Sequence, residues 1–323
     1  MEFTKPNIVV SKCLNFCQCR YNNQKLSSKF IGFFENYMNF HPVCPEVEIG
    51  LETPRNPVRI IETKGGERLV DSKTGTDYSS QMNEFSDKYL KEINNIDGFI
   101  LKSKSPTCGI KDVKKYHKAG KVPAIGERTI GFFAKKAMNK FPKAAFEDEG
   151  RLRNFSIREH FLIHIFTLAK FRKTKNYRNI NKLINFHKNN KYLFMSYSQK
   201  LLKKLGKIVS NHGRDSIDTI LKNYEDELSN IFSNTRKAGE NINAFLHMFG
   251  YFSDKLSVEE KNFFLTQIEY YKEEMIPLSV ITSILKSWVI RFQCGYLKSQ
   301  TILNPFPDSL IKVTDSGKGR EFR

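Results

Sequence analysis

Three cysteines each follow a short apolar run: Cys13 after Ile8-Val9-Val10, Cys44 after Phe40-His41-Pro42-Val43, and Cys108 after Phe99-Ile100-Leu101. Such runs read as buried strands of a parallel sheet. Ligands of open α/β sheets collect in the loops that leave the carboxyl ends of the strands. Three thiols on three such loops could converge on one metal centre. Three protein ligands leave a coordination position open, which is what a catalytic metal needs. The rival reading is three core thiols, because free cysteine is among the most buried residue types. Cys17 and Cys19 lie close enough to Cys13 in sequence to add or replace a ligand, whereas Cys294 falls in a helical stretch and reads as core.

The elements that would position these thiols alternate. Strands are predicted over Asn7–Ser11, Met38–Val43, Val58–Glu62 and Gly98–Lys102, and helices over Ser27–Met38, Asp77–Ile93 and Gly131–Lys140. Alternation of this kind implies βαβ units, hence an α/β N-terminal domain with a mostly parallel, Rossmann-like sheet. From Arg151 the pattern changes to helices: Ser156–Arg172, Asn179–Gly206, Ser216–Ser233, Ile242–Tyr251, Ser257–Glu274 and Leu278–Ser299, with Ser257 and Glu260 forming a capping box. The second domain therefore reads as all-α. The run Glu147-Asp148-Glu149-Gly150 reads as the linker. The division expected is 1–147 for the α/β domain, 148–312 for the helical domain and 313–323 for a polar tail.

Charge points to the partner. The chain of 323 residues carries a formal net charge of +19, which favours a polyanion. Between Arg151 and Ser210 fifteen basic residues face one acid, Glu159. Aromatics interleave with them, as in Phe171-Arg172-Lys173, Tyr177-Arg178, Phe186-His187-Lys188 and Lys191-Tyr192. Cations neutralise phosphates and rings stack on unpaired bases, so Arg172, Lys173, Arg178, His187, Lys188 and Lys191 are the candidate nucleic-acid contacts. Arg20, Arg55 and Arg59 are candidates for phosphate contact or for structural ion pairs. His160 and His164 have metal-ligand spacing, but no glutamate of the zincin pattern follows, and they read as structural. No signal peptide, membrane span or obligate protein partner is expected. A cytoplasmic location follows, where six cysteines suggest metal binding or catalysis more than disulfides.

Several blocks carry a resemblance. Ser11-Lys12-Cys13-Leu14 with Cys19-Arg20-Tyr21-Asn22, then Cys44-Pro45-Glu46-Val47-Glu48-Ile49-Gly50-Leu51 with Thr53-Pro54-Arg55, then Lys104-Ser105-Pro106-Thr107-Cys108-Gly109 resemble the TudS-type desulfidase family over about 140 residues. Asn185-Phe186-His187-Lys188 with Lys191-Tyr192, and Asn243 with His247 and Gly250-Tyr251-Phe252, resemble the helical domain fused to it in YbgA-like proteins. The chain departs from the pattern at Phe16 and Asn23, where glycines are usual. The resemblance implies that Cys13, Cys44 and Cys108 hold a 4Fe–4S cluster with one open iron, that Glu46 and Ser105 are catalytic, and that sulfur is removed from 4-thiouridine in tRNA.

The chemistry of the residues agrees with that implication. Thiolates suit iron–sulfur clusters, although three cysteines and a water would also suit zinc. A carboxylate two residues from a metal ligand can take and return the proton of an attacking water. Thione plus water gives carbonyl plus hydrosulfide, so no redox change is needed. Glu48 competes with Glu46, since two residues apart in extended chain share a face. Two further readings stay open: desulfuration of free thiouracil-type bases, and a non-enzymatic metal-containing nucleic-acid-binding protein.

Overall fold

Ile8, Val9 and Val10 are wholly buried because their strand lies in the middle of a sheet. The computed structural model describes residues 3–27, 29–211 and 213–311. Among these, eight strands occur: β1 (Asn7–Ser11), β2 (Asn39–Val43), β3 (Val58–Thr63), β4 (Gly66–Asp71), β5 (Gly98–Leu101), β6 (Val113–Tyr116), β7 (Arg128–Thr129) and β8 (Ala145–Asp148). The first sheet has the order β2-β1-β5-β8, with every pair parallel. Its central strands are the apolar runs of the sequence. Its edge strand β2 is mostly exposed and holds Pro42, which lacks an N–H and is tolerated at an edge.

A second sheet, β4-β3-β6-β7, is mixed. β3 and β4 form an antiparallel hairpin, β6 runs parallel to β3, and β7 runs antiparallel to β6. The mostly parallel sheet expected is thus one parallel sheet and one mixed sheet. Polar residues hide the second sheet in the sequence. In β6 (Val-Lys-Lys-Tyr) Lys115 is itself buried and bonds Glu62 and Glu127. Helices α1 (Lys29–Phe34), α2 (Pro45–Glu48), α3 (Ser79–Glu92) and α4 (Phe132–Lys140) accompany the sheets. One core takes Val9, Val43 and Phe99 from the first sheet, Ile60 and Leu69 from the second, and Met82, Leu90, Phe133 and Ala137 from α3 and α4.

The predicted linker is not one. Ala145–Asp148 is the fourth strand of the parallel sheet, and Glu147 and Asp148 are buried. Asp148 Oδ1 accepts from the backbone N–H of Gly150 and Arg151, and Glu147 pairs with Arg151 at 2.7 Å. The acidic run is structural because each carboxylate there has a donor. Two compact units divide the chain, the first ending at Ala169 and the second running from Lys170 to Ile311. The division falls inside the 22-residue helix α5 (Phe155–Asn176).

The second unit continues with α6 (Ile180–Asn189), α7 (Lys191–Met195), α8 (Gln199–Ser210), α9 (Ile217–Ile231), α10 (Ala238–Phe249), α11 (Val258–Lys272), α12 (Leu278–Arg291) and α13 (Gly295–Lys298). The single helix expected over Asn179–Gly206 is three. Asn190 is fully buried and its side chain bonds the Phe186 carbonyl, and Ser198 caps the start of α8; local side-chain bonds of this type compete with helix continuation. The Ser257–Glu260 capping box is present. Cys294, expected in a helix core, is the half-buried N-cap of α13. Phe171, Phe186 and Tyr224 pack with ring centroids 5.4–6.1 Å apart, and Trp288 packs with Phe249, Phe252 and Phe264. No helix among the described residues is long and apolar enough to cross a membrane. The tail from Val313 lies outside the described residues.

Candidate active site

β1 lies between β2 and β5, parallel to both, so the three strands release their loops at one end. Cys13 follows β1, Cys44 follows β2 and is the N-cap of α2, and Cys108 lies in the loop after β5. All three line one cavity of about 300 Å³. The strand ends are tied together: Lys12 N–H donates to the Val43 carbonyl at 2.8 Å, and Lys102 N–H to Ser11 Oγ at 2.9 Å.

Cys19 lines the same cavity, and Cys17 does not. Cys44 Sγ donates to the Cys19 carbonyl at 3.8 Å, and the neighbouring Cys13 thiol, with burial, pushes the Cys19 thiol up to about 12. The Cys19 thiol, then burial, raises Cys44. Burial pushes Cys108 up to about 12. Thiols so placed keep their protons unless a cation replaces them. Among the described residues no three His, Cys, Asp or Glu side chains close on a single metal ion. The cavity far exceeds the roughly 10–15 Å³ that admits a single water. Soft donors spread around a space of that size fit a multi-atom sulfur-loving group better than one ion.

Glu46 enters the cavity wall from α2. Cys44 begins that helix, so Glu46 and Glu48 are not on extended chain as expected, and Glu48 is exposed. Glu46 Oε2 takes Arg55 at 2.5 Å, with side chains only 8% and 13% exposed for Arg55 and Glu46. Arg55 also donates to the carbonyls of Cys19 and Glu52 and to Thr53 Oγ1. Of the two readings given for Arg55, the structure shows the ion pair. Arg59 instead stacks over Tyr116 at 4.3 Å and donates to the Gly120 carbonyl, and Arg20 lies 5.5 Å over Tyr21.

Glu46 Oε1 accepts from Thr107 Oγ1 at 2.9 Å, and Thr107 Oγ1 lies 2.9 Å from Ser105 Oγ. A hydroxyl has one proton, and the carboxylate is the stronger acceptor. Thr107 therefore donates to Glu46 and Ser105 donates to Thr107. Ser105 Oγ also accepts from the backbone N–H of Thr107 and Cys108. Sequence reasoning found Glu46 and Ser105 but not Thr107, which joins them. Its signal was its place in the Ser-Pro-Thr-Cys block.

A second cluster at the same end was also missed. Lys102 and Ser103 line the cavity. Glu149 takes Lys102 Nζ at 2.5 Å and both the N–H and hydroxyl of Ser103 at 2.8 Å. Burial would push the Glu149 carboxyl up, but Lys102 and Ser103 outweigh it and hold it below the usual range.

Two glycines fix the loop of Cys108. A Cβ on Gly109 would lie 2.7 Å from the Ser105 carbonyl oxygen, and one on Gly131 would lie 2.5 Å from that of Thr107. Asn23, standing where glycine is usual, has φ +56°. Asparagine is one of the few side chains that enters this left-handed region readily.

In the second unit the basic stretch is partly neutralised. Lys175 pairs with Glu225 at 2.9 Å, Lys204 with Glu227 at 3.3 Å, and Arg178 with Asp218. All three acids lie on α9, beyond the stretch itself. His187 Nδ1 lies 3.0 Å from the Tyr224 hydroxyl, and burial pushes its ring down to about 4, so it is neutral at pH 7. Lys173 is exposed and Arg172 half-buried. Lys188 lies over the ring of Tyr296 and Lys191 over that of Tyr192.

Residues 8–149 match the family model for 2-thiouracil desulfurase, and residues 191–307 that for a protein of unknown function, DUF1722. The chain is 36% identical over 110 residues to the uncharacterized protein YbbK of Bacillus subtilis, covering 32% of this chain and 72% of that one. It is 23% identical over 158 residues to the uncharacterized protein YbgA of Escherichia coli, covering 48% and 93%. A solved structure of a 4Fe–4S-dependent thiouracil desulfidase, TudS, is 24% identical, covers 46% of this chain and 93% of that one, and superposes with a TM-score of 0.35. An α/β unit with thiols and a carboxylate at one sheet end thus has a class, and the chain belongs to the 2-thiouracil desulfurase family. A YbgA-like DUF1722 segment follows in the same chain.

Proposed function

We propose that the protein is a tRNA 4-thiouridine desulfidase that replaces the sulfur of the thiolated base by oxygen, giving uridine and hydrosulfide. The observation that carries this is the convergence of Cys13, Cys44 and Cys108 on one cavity whose wall also holds Glu46, Thr107 and Ser105. The three cysteines would hold a 4Fe–4S cluster, which supplies Lewis-acid affinity for sulfur at an iron without a protein ligand. The protein's own residues handle the proton. Arg55 occupies Oε2 of Glu46 and fixes the carboxylate. Oε1 remains the proton-accepting end, and it receives the Ser105–Thr107 chain. A proton taken near Ser105 or directly by Glu46 from an attacking water can be returned to the product by the same path. Lys102, whose three ammonium donors go to Glu149 and to the carbonyl and hydroxyl of Ser103, holds the adjoining stretch of cavity wall in place.

The tRNA assignment is supported by the basic stretch of the helical unit, of which Lys173, Lys188 and Lys191 make no ion pair among the described residues. The free-base reading is favoured by the description of the matched family, which names thiouracil. The test is anaerobic reconstitution with iron and sulfide, followed by thiolated tRNA or free thiouracil in parallel. Loss of the thiobase absorbance from tRNA at the higher kcat/KM supports the proposal. Turnover of the free base alone moves the assignment to the second reading, and no turnover at full iron occupancy overturns both.

A further inference from the structure

Three tyrosines gather in the helical unit from segments far apart in sequence. Tyr192 lies in the first turn of α7, Tyr251 follows α10, and Tyr296 lies on α13. The rings of Tyr251 and Tyr296 have centroids 5.6 Å apart at 32°, and Tyr192 stands edge-on to both at 6.5 and 6.3 Å. Tyr192 is buried and Tyr251 is 45% exposed. Two lysines frame the group: Lys188 Nζ lies 5.6 Å over Tyr296, and Lys191 Nζ lies 5.4 Å over Tyr192. Neither makes an ion pair among the described residues, in contrast to Lys175, Arg178 and Lys204.

The group is braced from beneath. Gln300 is fully buried; its side-chain N–H donates to the Lys188 carbonyl at 2.9 Å, and its side-chain oxygen accepts from Tyr192 N–H at 3.3 Å. One amide thus fixes the backbone of both the lysine and the tyrosine segments. An apolar core needs no exposed tyrosine held in this way. A half-exposed ring on a rigid stack, with unpaired cations beside it, has the composition of a single-strand RNA platform, in which rings carry bases and lysines carry phosphates. A protein partner would be expected to meet apolar or acidic complements, and the charge here favours phosphate.

We infer that Tyr251, backed by Tyr296 and Tyr192 and flanked by Lys188 and Lys191, is the stacking platform through which the helical unit grips an unpaired nucleotide of RNA. The inference rests on the proposed action on tRNA and names the contact within it. A base stacks on the exposed Tyr251 ring, and the two ammonium groups neutralise the adjoining phosphates. No covalent step is involved.

The test uses the full-length protein and a labelled, unmodified tRNA transcript, so that binding is read without turnover, with a blunt RNA duplex as comparison. Tyr251→Ala should weaken tRNA binding about 5- to 150-fold, the range of one lost base stack, while leaving the salt dependence and the duplex affinity as they were. Tyr251→Phe, which keeps the ring, should bind within about 2-fold of wild type by the same reasoning. The double substitution Lys188→Gln/Lys191→Gln should lower the slope of log K against log salt by about 1.4, two phosphates' worth for single-stranded nucleic acid. Thermal melts check that each variant is folded, and the lysine pair provides a test should Tyr251→Ala not fold. Wild-type binding to tRNA that Tyr251→Ala and the lysine pair both leave intact overturns this inference and leaves the tRNA reading standing. Failure of wild type to bind tRNA overturns the reading itself.

Discussion

Thr107 donates its hydroxyl proton to Glu46 at 2.9 Å across 61 residues of sequence. That one bond joins the loop after β5 to the helix after β2 and puts Ser105 in line with the carboxylate. Thr107→Val keeps the shape and removes the relay. A hydrogen bond to a charged group is worth about 1.5–3 kcal/mol, so kcat should fall about 10- to 100-fold with iron content unchanged. Glu46→Gln, which removes the base itself, should cost about 100- to 10,000-fold. Equal kcat for wild type and Thr107→Val would show that Ser105 and Glu46 act separately.

The Arg55–Glu46 pair should show its burial in stability. Removing one partner of a largely buried pair strands the other charge and costs about 3 kcal/mol. Arg55→Leu should therefore lower the urea midpoint markedly, and Arg55→Leu/Glu46→Leu should regain at least half of the loss. If the double variant is no more stable than the single one, desolvation of Glu46 is not the cause.

Iron content separates the cysteines. After anaerobic reconstitution, Cys13→Ala, Cys44→Ala and Cys108→Ala should each lose bound iron and visible absorbance. Cys17→Ala, which lies off the cavity, and Cys294→Ala, a helix cap, should bind iron in full. Cys19 lines the cavity beside the three thiols, and Cys19→Ala should also keep its iron. Iron lost on that substitution would make Cys19 a ligand.

Burial, aided by the neighbouring His160, holds His164 neutral and pushes its ring from 6.5 down to about 3. Between these values the unfolded chain binds a proton that the native state does not. Stability is thus fully present above pH 6.5 and falls as pH drops below it, by about 1.4 kcal/mol per pH unit for this group. Denaturant melts from pH 7.5 to 5 should show this slope, and His164→Gln should flatten it by about that amount. An unchanged slope in the variant would assign the acid sensitivity to other groups.

The parts of the fold that could be read from sequence are those whose strands are buried on both faces. β1 and β5 are unbroken apolar runs because they are central, and β1 has the bounds expected of it. β4, β6 and β8 escaped because their polar residues are paired within the fold. Lys115 and Glu147 look like solvent residues until Glu127 and Arg151 are seen beside them. The same holds for the site. Cysteines announce themselves by type, and Glu46 and Ser105 by the blocks that hold them. Thr107 and Glu149 depend on partners dozens of residues away, and which of its two readings Arg55 takes depends on Glu46 turning toward it from α2. In the second unit, the acids of α9 reduce a charge excess that a linear count places wholly at the surface.

Gly109 and Gly131 leave the Cys108 loop no room for even one added methyl group. A loop that closes tightly on itself at Gly109 and lies against the backbone of Gly131 is held in one shape. Its occupant must therefore arrive with the right shape or be assembled in place. Selectivity at this end of the sheet would then act by refusal, with misshapen cargo kept out and the wall unchanged.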